Sequence, residues 1–255
     1  MTVDLKVLGS SSSGNCGLVV HQGRYYLVDA GFSGKKIAEK LATFGISLDD
    51  LSGVFITHEH QDHILGLKRL SKLKQLKFYA NYKTAQAIED RLQLNAHWTI
   101  FETGEVFAVD GLSVIGFGIP HDAQDPVGYF FKSETDSCVW ATDIGHITPK
   151  LSQLLVKARK LVLESNHEIQ LLWNHPTRPQ YLKERIAGPY GHLSNQEVFH
   201  FIKNTPHTWK SICLAHISKD CNSVPHMQKL FQPLAEEQQF ELEIVDPVMA
   251  DTRLK

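Results

Sequence analysis

A histidine-rich loop directly after a short apolar run is the feature that most constrains the fold of this chain. Residues 57–63 read Thr-His-Glu-His-Gln-Asp-His. In an extended stretch the side chains of His58 and His60 point the same way, and a following turn brings Asp62 and His63 back toward them. Three imidazoles and a carboxylate suit Zn²⁺, Mn²⁺ or Fe²⁺ better than Ca²⁺ or Mg²⁺. The alternative, a solvated polar loop that only begins the next helix, requires a rare coincidence of spacing.

Three more potential ligands each follow an apolar run that reads as a β-strand, namely His121, Asp143 and His216. Alone, each would be read as an ordinary polar residue at a strand end. Strand ends that meet at one edge of a sheet bring such side chains together, however, which favours a dinuclear metal site. We expect one metal ion to bind His58, His60 and His121 and the other to bind Asp62, His63 and His216, with Asp143 as the bridge.

The composition is that of a globular protein, with 255 residues, 42% hydrophobic and 21% charged. These values exclude disordered, collagen-like and coiled-coil chains. No proline- or glycine-rich linker divides the sequence, and we therefore expect residues 1–255 to form one domain. The net charge of −2 gives no global attraction to nucleic acid, so a polyanion must bind through a local patch.

No apolar run approaches the roughly 18 residues that a membrane helix needs, and the first residues do not resemble a signal peptide. We therefore predict a soluble, cytoplasmic protein without a membrane partner. Its four cysteines are scattered without a Cys-x-x-Cys pair, which favours reduced and mostly buried thiols.

Hydrophobic periodicity predicts alternating strands and helices. Three short strands open the chain as a meander, with a turn over residues 9–15 and a tight hairpin at Gln22-Gly23, and Ser33 caps a helix that Gly45 ends. Strands are also predicted near 54–57, 77–80, 105–119, 127–132, 137–142, 160–164, 211–216 and 240–245, and helices near 64–73, 83–92, 148–157, 179–186 and 194–203. Such alternation indicates a layered α/β fold.

The ligand order from His58 to His216 resembles that of the metallo-β-lactamase-fold hydrolases over nearly the whole chain. An aspartate at position 143 is similar to the phosphodiesterase and thioesterase branches. The segment Pro-His-Asp-Ala at 120–123 differs from the third motif of glyoxalase-type thioesterases and disfavours that branch. The resemblance implies an αββα sandwich, in which two mixed β-sheets are flanked by helices in four layers.

A narrower resemblance is to the YycJ/VicX-type proteins, small relatives of RNase J and RNase Z without the β-CASP insertion. It lies in the segments 11–16, 121–129, 142–145, 164–167, 191–195 and 214–218. This resemblance implies a nuclease with 5′-to-3′ exonuclease action on DNA, and therefore DNA as the substrate partner.

Two metal ions can hold a bridging hydroxide as nucleophile and stabilise an in-line phosphoryl transition state. Asp62 would orient this hydroxide as well as bind metal. His192, just before a predicted helix start, is the candidate phosphate contact and general acid for the leaving oxygen. By resemblance to RNase Z, Glu164 would orient His192 and raise its pKa. The alternative is that His192 only begins a helix and that Glu164 is a surface acid.

Substrate contacts are predicted on several loops. The serine-rich turn would present Ser12, Ser13 and Asn15 to a terminal phosphate. Further candidates are His167, Ser194 and Asn222. Two basic groups, residues 68–77 and the set Arg178, Lys183 and Arg185, could follow a phosphate backbone, and Tyr181 and Tyr190 could stack on bases. A solvated helix face is the alternative for the first group.

Other functions are compatible with the same residues. A phosphodiesterase for cyclic or short nucleotides shares this arrangement of histidines and aspartates, and a thioesterase or lactonase is a weaker alternative. A non-catalytic signalling accessory protein is the non-enzymatic alternative, although binding alone would not require every ligand. The mixed His/Asp set suits Zn²⁺, Mn²⁺ and Fe²⁺ alike.

Overall fold

The computed structural model describes residues 2–94 and 96–248. Within them the strands of the first sheet pair in chain order: β1 (Val3–Ser11), β2 (Gly14–His21), β3 (Arg24–Val28), β4 (Leu51–Phe55), β5 (Lys77–Ala80) and β6 (Trp98–Ile100). The second sheet is also consecutive: β7 (Val106–Val109), β8 (Leu112–Gly118), β9 (Val127–Lys132), β10 (Ser137–Ala141), β11 (Lys160–Glu164), β12 (Ser211–Ala215) and β13 (Glu241–Ile244).

Each sheet begins with antiparallel strands and ends with parallel strands. Strands β1 to β3 and β7 to β10 form antiparallel meanders. The later strands of each sheet, β3 to β6 and β10 to β13, run parallel. The α-helices of the described residues are α1 (Gly34–Ala42), α2 (Gln61–Ile64), α3 (Leu67–Leu70), α4 (Tyr82–Leu92), α5 (Pro149–Leu155), α6 (Ile169–Trp173), α7 (Gln180–Ile186), α8 (Asn195–Asn204) and α9 (Val224–Gln238).

Three apolar clusters define four layers. The middle cluster joins inward-facing residues of both sheets, among them Tyr26, Phe55, Tyr129 and Trp140. A second packs α1, α3 and α4 on the outer face of the first sheet, and a third packs α5, α8 and α9 on the outer face of the second. The predicted αββα sandwich with two mixed sheets is confirmed. That residues 1–255 form one domain stays a prediction.

Several predicted elements differ in extent. The serine-rich stretch is not a turn over residues 9–15, because β1 and β2 pair from Val3 with His21 up to Ser11 with Gly14. The segment 105–119 is two strands, since Asp110 and Gly111 both have left-handed backbones and form a tight hairpin. The predicted helix at 64–73 is divided between α2 and α3 at Gly66.

Other local predictions are confirmed. Gln22 and Gly23 make the expected hairpin with left-handed backbones. The hydroxyl of Ser33 caps α1, and all four cysteines are buried and free. In the part of the chain that the structure describes, no helix has the length and apolar character to cross a membrane. The cytoplasmic location stays a prediction.

Candidate metal centre

The loops after β4, β8, β10 and β12 bring the seven predicted ligands together. The ligand atoms of His58, His60 and His121 lie within 4.8 Å of one another. Those of a second group, Asp62, His63, Asp143 and His216, satisfy the same limit. Residues up to 158 positions apart in the sequence thus form one cluster, because the strands that precede them end in the same region of the sandwich.

Asp143 lies between the two groups. Its carboxylate oxygens are 3.3 Å from His63 Nε2, 3.4 Å from His216 Nε2 and 3.7 Å from His121 Nε2. In the first group His121 Nε2 is 3.3 Å from His60 Nδ1. The Asp143 carboxylate thus lies within 3.7 Å of imidazole nitrogens of both groups.

Unusual backbone conformations at strand ends help to aim these side chains. Asp143 and His216 have φ of 62° and 52°, and Asp29, directly after β3, has φ of 62°. Left-handed backbone is uncommon for residues other than glycine, and it persists where the surrounding structure holds it in place. Here the chain turns sharply as each strand ends, which directs the side chain into the cluster.

Hydrogen bonds orient four of the imidazoles. His63 Nδ1 donates to Asp29 at 2.7 Å, and His216 Nδ1 donates to Glu164 at 3.0 Å. His58 Nδ1 donates to the Thr57 hydroxyl, and His121 Nδ1 donates to a backbone carbonyl. Each bond holds a proton on Nδ1, so that Nε2 is the nitrogen that would bind a metal ion after it loses any proton of its own.

The donor set fits a divalent metal ion. Three buried atoms, His58 Nε2, Asp143 Oδ2 and His216 Nε2, have no hydrogen-bond partner in the structure. Buried polar atoms without a partner are costly, and imidazole nitrogens beside carboxylate oxygens are ligands of Zn²⁺, Mn²⁺ and Fe²⁺. The cluster is therefore suited to binding divalent metal.

Burial and neighbouring charges shift the pKa values of the candidate ligands in different directions. Burial and the neighbouring imidazoles lower the pKa of His58 well below its usual range. Burial alone would also lower the pKa of His216, but Asp143, Asp62 and Glu164 outweigh it and raise this pKa to about 10. Burial raises the pKa of Asp143, but His216 and His63 outweigh that effect and lower it well below its usual range. The carboxylates are therefore ionised, as metal ligands must be.

His192 and Glu164 form a second unit at the rim of the cluster. His192 Nδ1 donates to Glu164 Oε1 at 2.7 Å, and the same oxygen accepts from His216. Glu164 is fully buried, and its other oxygen accepts from the backbone N–H of Ile144 at 2.6 Å. Burial would raise the pKa of Glu164, but His192 and His216 outweigh it and lower this pKa to about 2. Glu164 is thus a buried carboxylate and not a surface acid.

A cavity of about 300 Å³ opens onto the cluster. Its lining includes the candidate ligands His60, Asp62, His121, Asp143 and His216, together with His192. The other lining residues are Ser12, Asp122, Arg178, Leu182, Arg185, Ile186 and Gly191.

The two predicted basic groups differ in position. Arg178 and Arg185 line the cavity, whereas Lys183 is buried and donates to the carbonyl of Trp173 at 2.7 Å. Lys183 therefore supports the segment around α7. None of residues 68–77 lines the cavity, and the basic side chains of this first group are exposed.

The predicted contacts on the serine-rich hairpin lie at different depths. Ser12 is exposed and lines the cavity, and the exposed Ser13 accepts from Lys219 at 3.0 Å. Asn15 is buried, and its amide nitrogen lies 3.2 Å from Asp62 Oδ2 and 3.0 Å from His63 Nε2. Ser12 thus lies in the cavity wall, and Asn15 lies against the candidate ligands.

Three further predicted contacts, Ser194, Asn222 and His167, are buried. Ser194 caps α8 in a reciprocal box with Glu197. The Asn222 amide donates to the carbonyls of residues 165 and 166, which supports the loop beside His216. His167 is buried with Nδ1 unbonded, and burial is the main cause that lowers its pKa to about 4. None of these three lines the cavity, and their contact with substrate stays a prediction.

Sequence reasoning missed two supporting residues. Asp29 is fully buried, and besides binding His63 it accepts from the backbone N–H of Thr57 at 2.9 Å. The sequence could have indicated Asp29, because this residue directly follows a predicted strand, as the candidate ligands do. Ser10 accepts from the backbone N–H of His216 and donates to Asn15 Oδ1 at 2.7 Å. A serine among four consecutive serines gives no such signal.

Comparisons with known proteins agree with this architecture. The family model described as a beta-lactamase superfamily domain matches residues 24–217. Exodeoxyribonuclease WalJ of Streptococcus pneumoniae is 35% identical over 233 residues, 89% of this chain and 86% of that protein. Exodeoxyribonuclease YycJ of Bacillus anthracis is 32% identical over 259 aligned residues, 98% of this chain and 97% of that protein.

Solved structures with the same fold are more distant in sequence. The metallo-beta-lactamase fold protein YhfI from Bacillus subtilis superposes with a TM-score of 0.72 at 16% identity, covering 96% of this chain and 97% of its own. The short form of human tRNase Z superposes with a TM-score of 0.66 at 16% identity, covering 95% and 96%. The chain therefore belongs to the metallo-β-lactamase superfamily of hydrolases and, within it, to the family of the WalJ and YycJ proteins.

Proposed function

We propose that this protein is a metal-dependent exonuclease that hydrolyses phosphodiester bonds of DNA from the 5′ end. The His/Asp cluster supports the chemistry, and the relatives that are named exodeoxyribonucleases support DNA as the substrate. The observation that carries the proposal is the position of His192, which lines the same cavity as Asp62 and Asp143 and is held by a buried carboxylate. Diester hydrolysis needs charge neutralisation and a proton donor at one site; divalent metal held by the cluster would supply the first and His192 the second.

We assign His58, His60 and His121 to one metal ion and Asp62, His63 and His216 to the other, with Asp143 between them. Divalent ions in such a centre lower the pKa of water and neutralise charge that develops on a phosphoryl group. Asp62 acts as an acceptor that orients the attacking water. Its nearby imidazoles keep its pKa below the usual range against the opposing effect of burial, so that it stays a carboxylate.

His192 supplies the proton for the leaving oxygen. Because Nδ1 donates to Glu164, Nε2 is the nitrogen that can exchange a proton with substrate. Glu164 is a positioning residue, since it holds the imidazoles of both His192 and His216 with one oxygen. A single carboxylate thus keeps the proton donor in register with a metal ligand.

A phosphodiesterase for cyclic or short nucleotides is the second candidate. The cavity of about 300 Å³ lies at the small end of the range for small-molecule pockets, which favours a compact substrate. Dependence of the rate on DNA length, together with inhibition by salt, would favour the polymer.

The test is hydrolysis by protein stripped with a chelator and reloaded separately with Mn²⁺ or Zn²⁺. The substrates are 5′-labelled duplex DNA, single-stranded DNA, RNA and bis(p-nitrophenyl) phosphate, and His58→Ala is the control. We expect release of mononucleotides from the DNA 5′ end and none from the control. Cleavage of the small diester alone would replace the exonuclease with the second candidate, and bound metal without ester hydrolysis would favour a non-catalytic accessory protein.

A further inference from the structure

One side of the cavity is formed by residues that are not candidate ligands. We call residues 178–191, which include α7, the α7 wall. Arg185 binds Asp122, the neighbour of His121, through two nitrogens at 2.7 and 2.6 Å. Arg178 binds Asp220 at 2.8 Å, four residues after His216. Two ion pairs therefore tie the α7 wall to the two loops that carry candidate ligands of the two groups.

The space behind the α7 wall suits one nucleotide. The cavity volume of about 300 Å³ is at the lower limit for pockets that hold a small molecule. Leu182 and Ile186 give the wall an apolar surface inside the cavity, which suits the face of a nucleobase. A base that is still paired would bring its partner base with it, and a cavity of this volume suits one base better than two.

Two tyrosines stand outside this space. Tyr181 directly precedes Leu182 and is 72% exposed, and Tyr190 directly precedes Gly191 and is 61% exposed. Neither ring contributes to a core cluster of the described residues. Exposed aromatic rings next in sequence to cavity-lining residues are suited to stacking on the bases of a bound nucleic acid, and such stacking tolerates any base.

We propose that the α7 wall separates the strands at a DNA end: the 5′-terminal nucleotide enters the cavity unpaired, with its base against Leu182 and Ile186, while Tyr181 and Tyr190 stack on bases that stay outside. This inference rests on the proposed exonuclease function and specifies the state in which a DNA end is bound. Stacking on the tyrosines would offset part of the energy lost when the terminal pair opens.

The first test measures strand opening without cleavage. A duplex carries 2-aminopurine at the 5′-terminal position, where its fluorescence rises on unstacking, and the metal-loaded His192→Ala protein binds it with little turnover. We expect the fluorescence to rise on binding, and the same probe ten pairs inside the duplex to stay unchanged. Saturated binding, verified by anisotropy, without a rise at the terminus would overturn the proposal.

The second test compares cleavage of a fully paired duplex with the same duplex carrying a mismatched 5′-terminal pair. The double variant Tyr181→Ala/Tyr190→Ala should lower the rate on the paired end about tenfold more than the rate on the mismatched end. The variant Tyr181→Phe/Tyr190→Phe keeps both rings, so its loss of rate on the paired end should be no greater than its loss on the mismatched end. Tyr82→Ala is the matched control, because Tyr82 is 63% exposed and does not line the cavity.

The outcomes separate the two proposals. No DNA hydrolysis by the unmodified protein would refute the exonuclease function. Hydrolysis by the unmodified protein, with equal losses on paired and mismatched ends in the double alanine variant, would refute strand separation by the α7 wall and leave the exonuclease function intact.

Discussion

Asp29 acts on the candidate metal centre through His63. Its two oxygens accept from His63 Nδ1 and from the backbone and hydroxyl of Thr57. In Asp29→Asn, an amide nitrogen must face either His63 or the Thr57 N–H. If the amide nitrogen faces His63, it donates to Nδ1 and moves the His63 proton to Nε2. If it faces Thr57, the amide N–H and the Thr57 N–H are two donors without an acceptor between them. We expect metal affinity to fall about 10- to 100-fold.

Competition with a chromophoric chelator measures this loss. Asp49→Asn is the control, because Asp49 is an exposed carboxylate outside the cluster. Equal metal affinity in Asp29→Asn and the unmodified protein would show that His63 does not need this partner.

Asp143 and His192 should fail in different ways when each is replaced by alanine. Asp143→Ala removes the carboxylate between both ligand groups, and we expect it to lose metal and activity together. His192→Ala removes only the proton donor, and we expect it to keep its metal and lose about 10²- to 10⁴-fold in turnover. Metal content by elemental analysis and rates on the same samples distinguish the two.

His200→Ala is the control for loss of an exposed histidine. Metal loss in His192→Ala, or full activity in either active-site variant, would contradict these roles.

At the residue scale, the sequence could predict candidate ligands because polar residues that end apolar strands carry a local signal. Asp29 and Asp143 carry the same signal, and both have left-handed backbones in the structure. Packing between distant loops decides whether such an aspartate lies among the ligand atoms or accepts a hydrogen bond from a ligand imidazole. Local sequence does not encode that choice, and for this reason Asp29 was missed.

Among the elements, the short connection after β3 is the tightest part of the site. A Cβ at Gly31 would lie 1.7 Å from the carbonyl oxygen of Asp62 and 2.4 Å from the backbone nitrogen of Asn15. Gly31→Ala must therefore push the backbone at Asp62 and at Asn15 away from residue 31. We expect unfolding free energy to fall by about 1–3 kcal/mol, as in other overpacked sites, together with weaker metal binding.

Urea denaturation and metal titration check both effects. Gly118→Ala is the matched control, because its Cβ would meet only Thr103 Cγ2 at 3.6 Å. A Gly31→Ala protein as stable as this control would mean that the loop can move without cost.

Helices and strands could be predicted from the sequence where an apolar run or a capping residue gave a clear local signal. The strands that carry the site have apolar runs, and Ser33 and Ser194 mark true helix starts. Helix α9 was missed because Pro233 lies inside it, and proline ordinarily ends a helix. The division at Gly66 follows from tertiary contact, since a Cβ there would lie 2.5 Å from the carbonyl oxygen of Phe32.

Across the whole molecule, the candidate ligands join the two sheets. Four follow β4 of the first sheet, and His121, Asp143 and His216 follow strands of the second. A metal ion that binds only the folded state adds about 2.7 kcal/mol of stability at one hundred times its Kd. For a chain of this size we expect removal of metal to lower the Tm by about 5–10 °C.

Calorimetry before and after chelation tests this expectation at fixed protein concentration. The control is the same chelator saturated beforehand with Zn²⁺. An unchanged Tm in protein shown to have lost its metal would mean that bound metal does not contribute to the stability of the two-sheet fold.

The positions of the candidate ligands along the chain also determine how late in translation the full ligand set becomes available. Translation must continue through residue 216 before the seventh candidate ligand exists, because His216 follows β12. A nascent chain that ends between residues 143 and 216 carries six of the seven side chains and lacks the one that Glu164 orients. Under the proposed assignment, hydrolytic competence therefore arises late in synthesis, and a prematurely terminated polypeptide would not carry it.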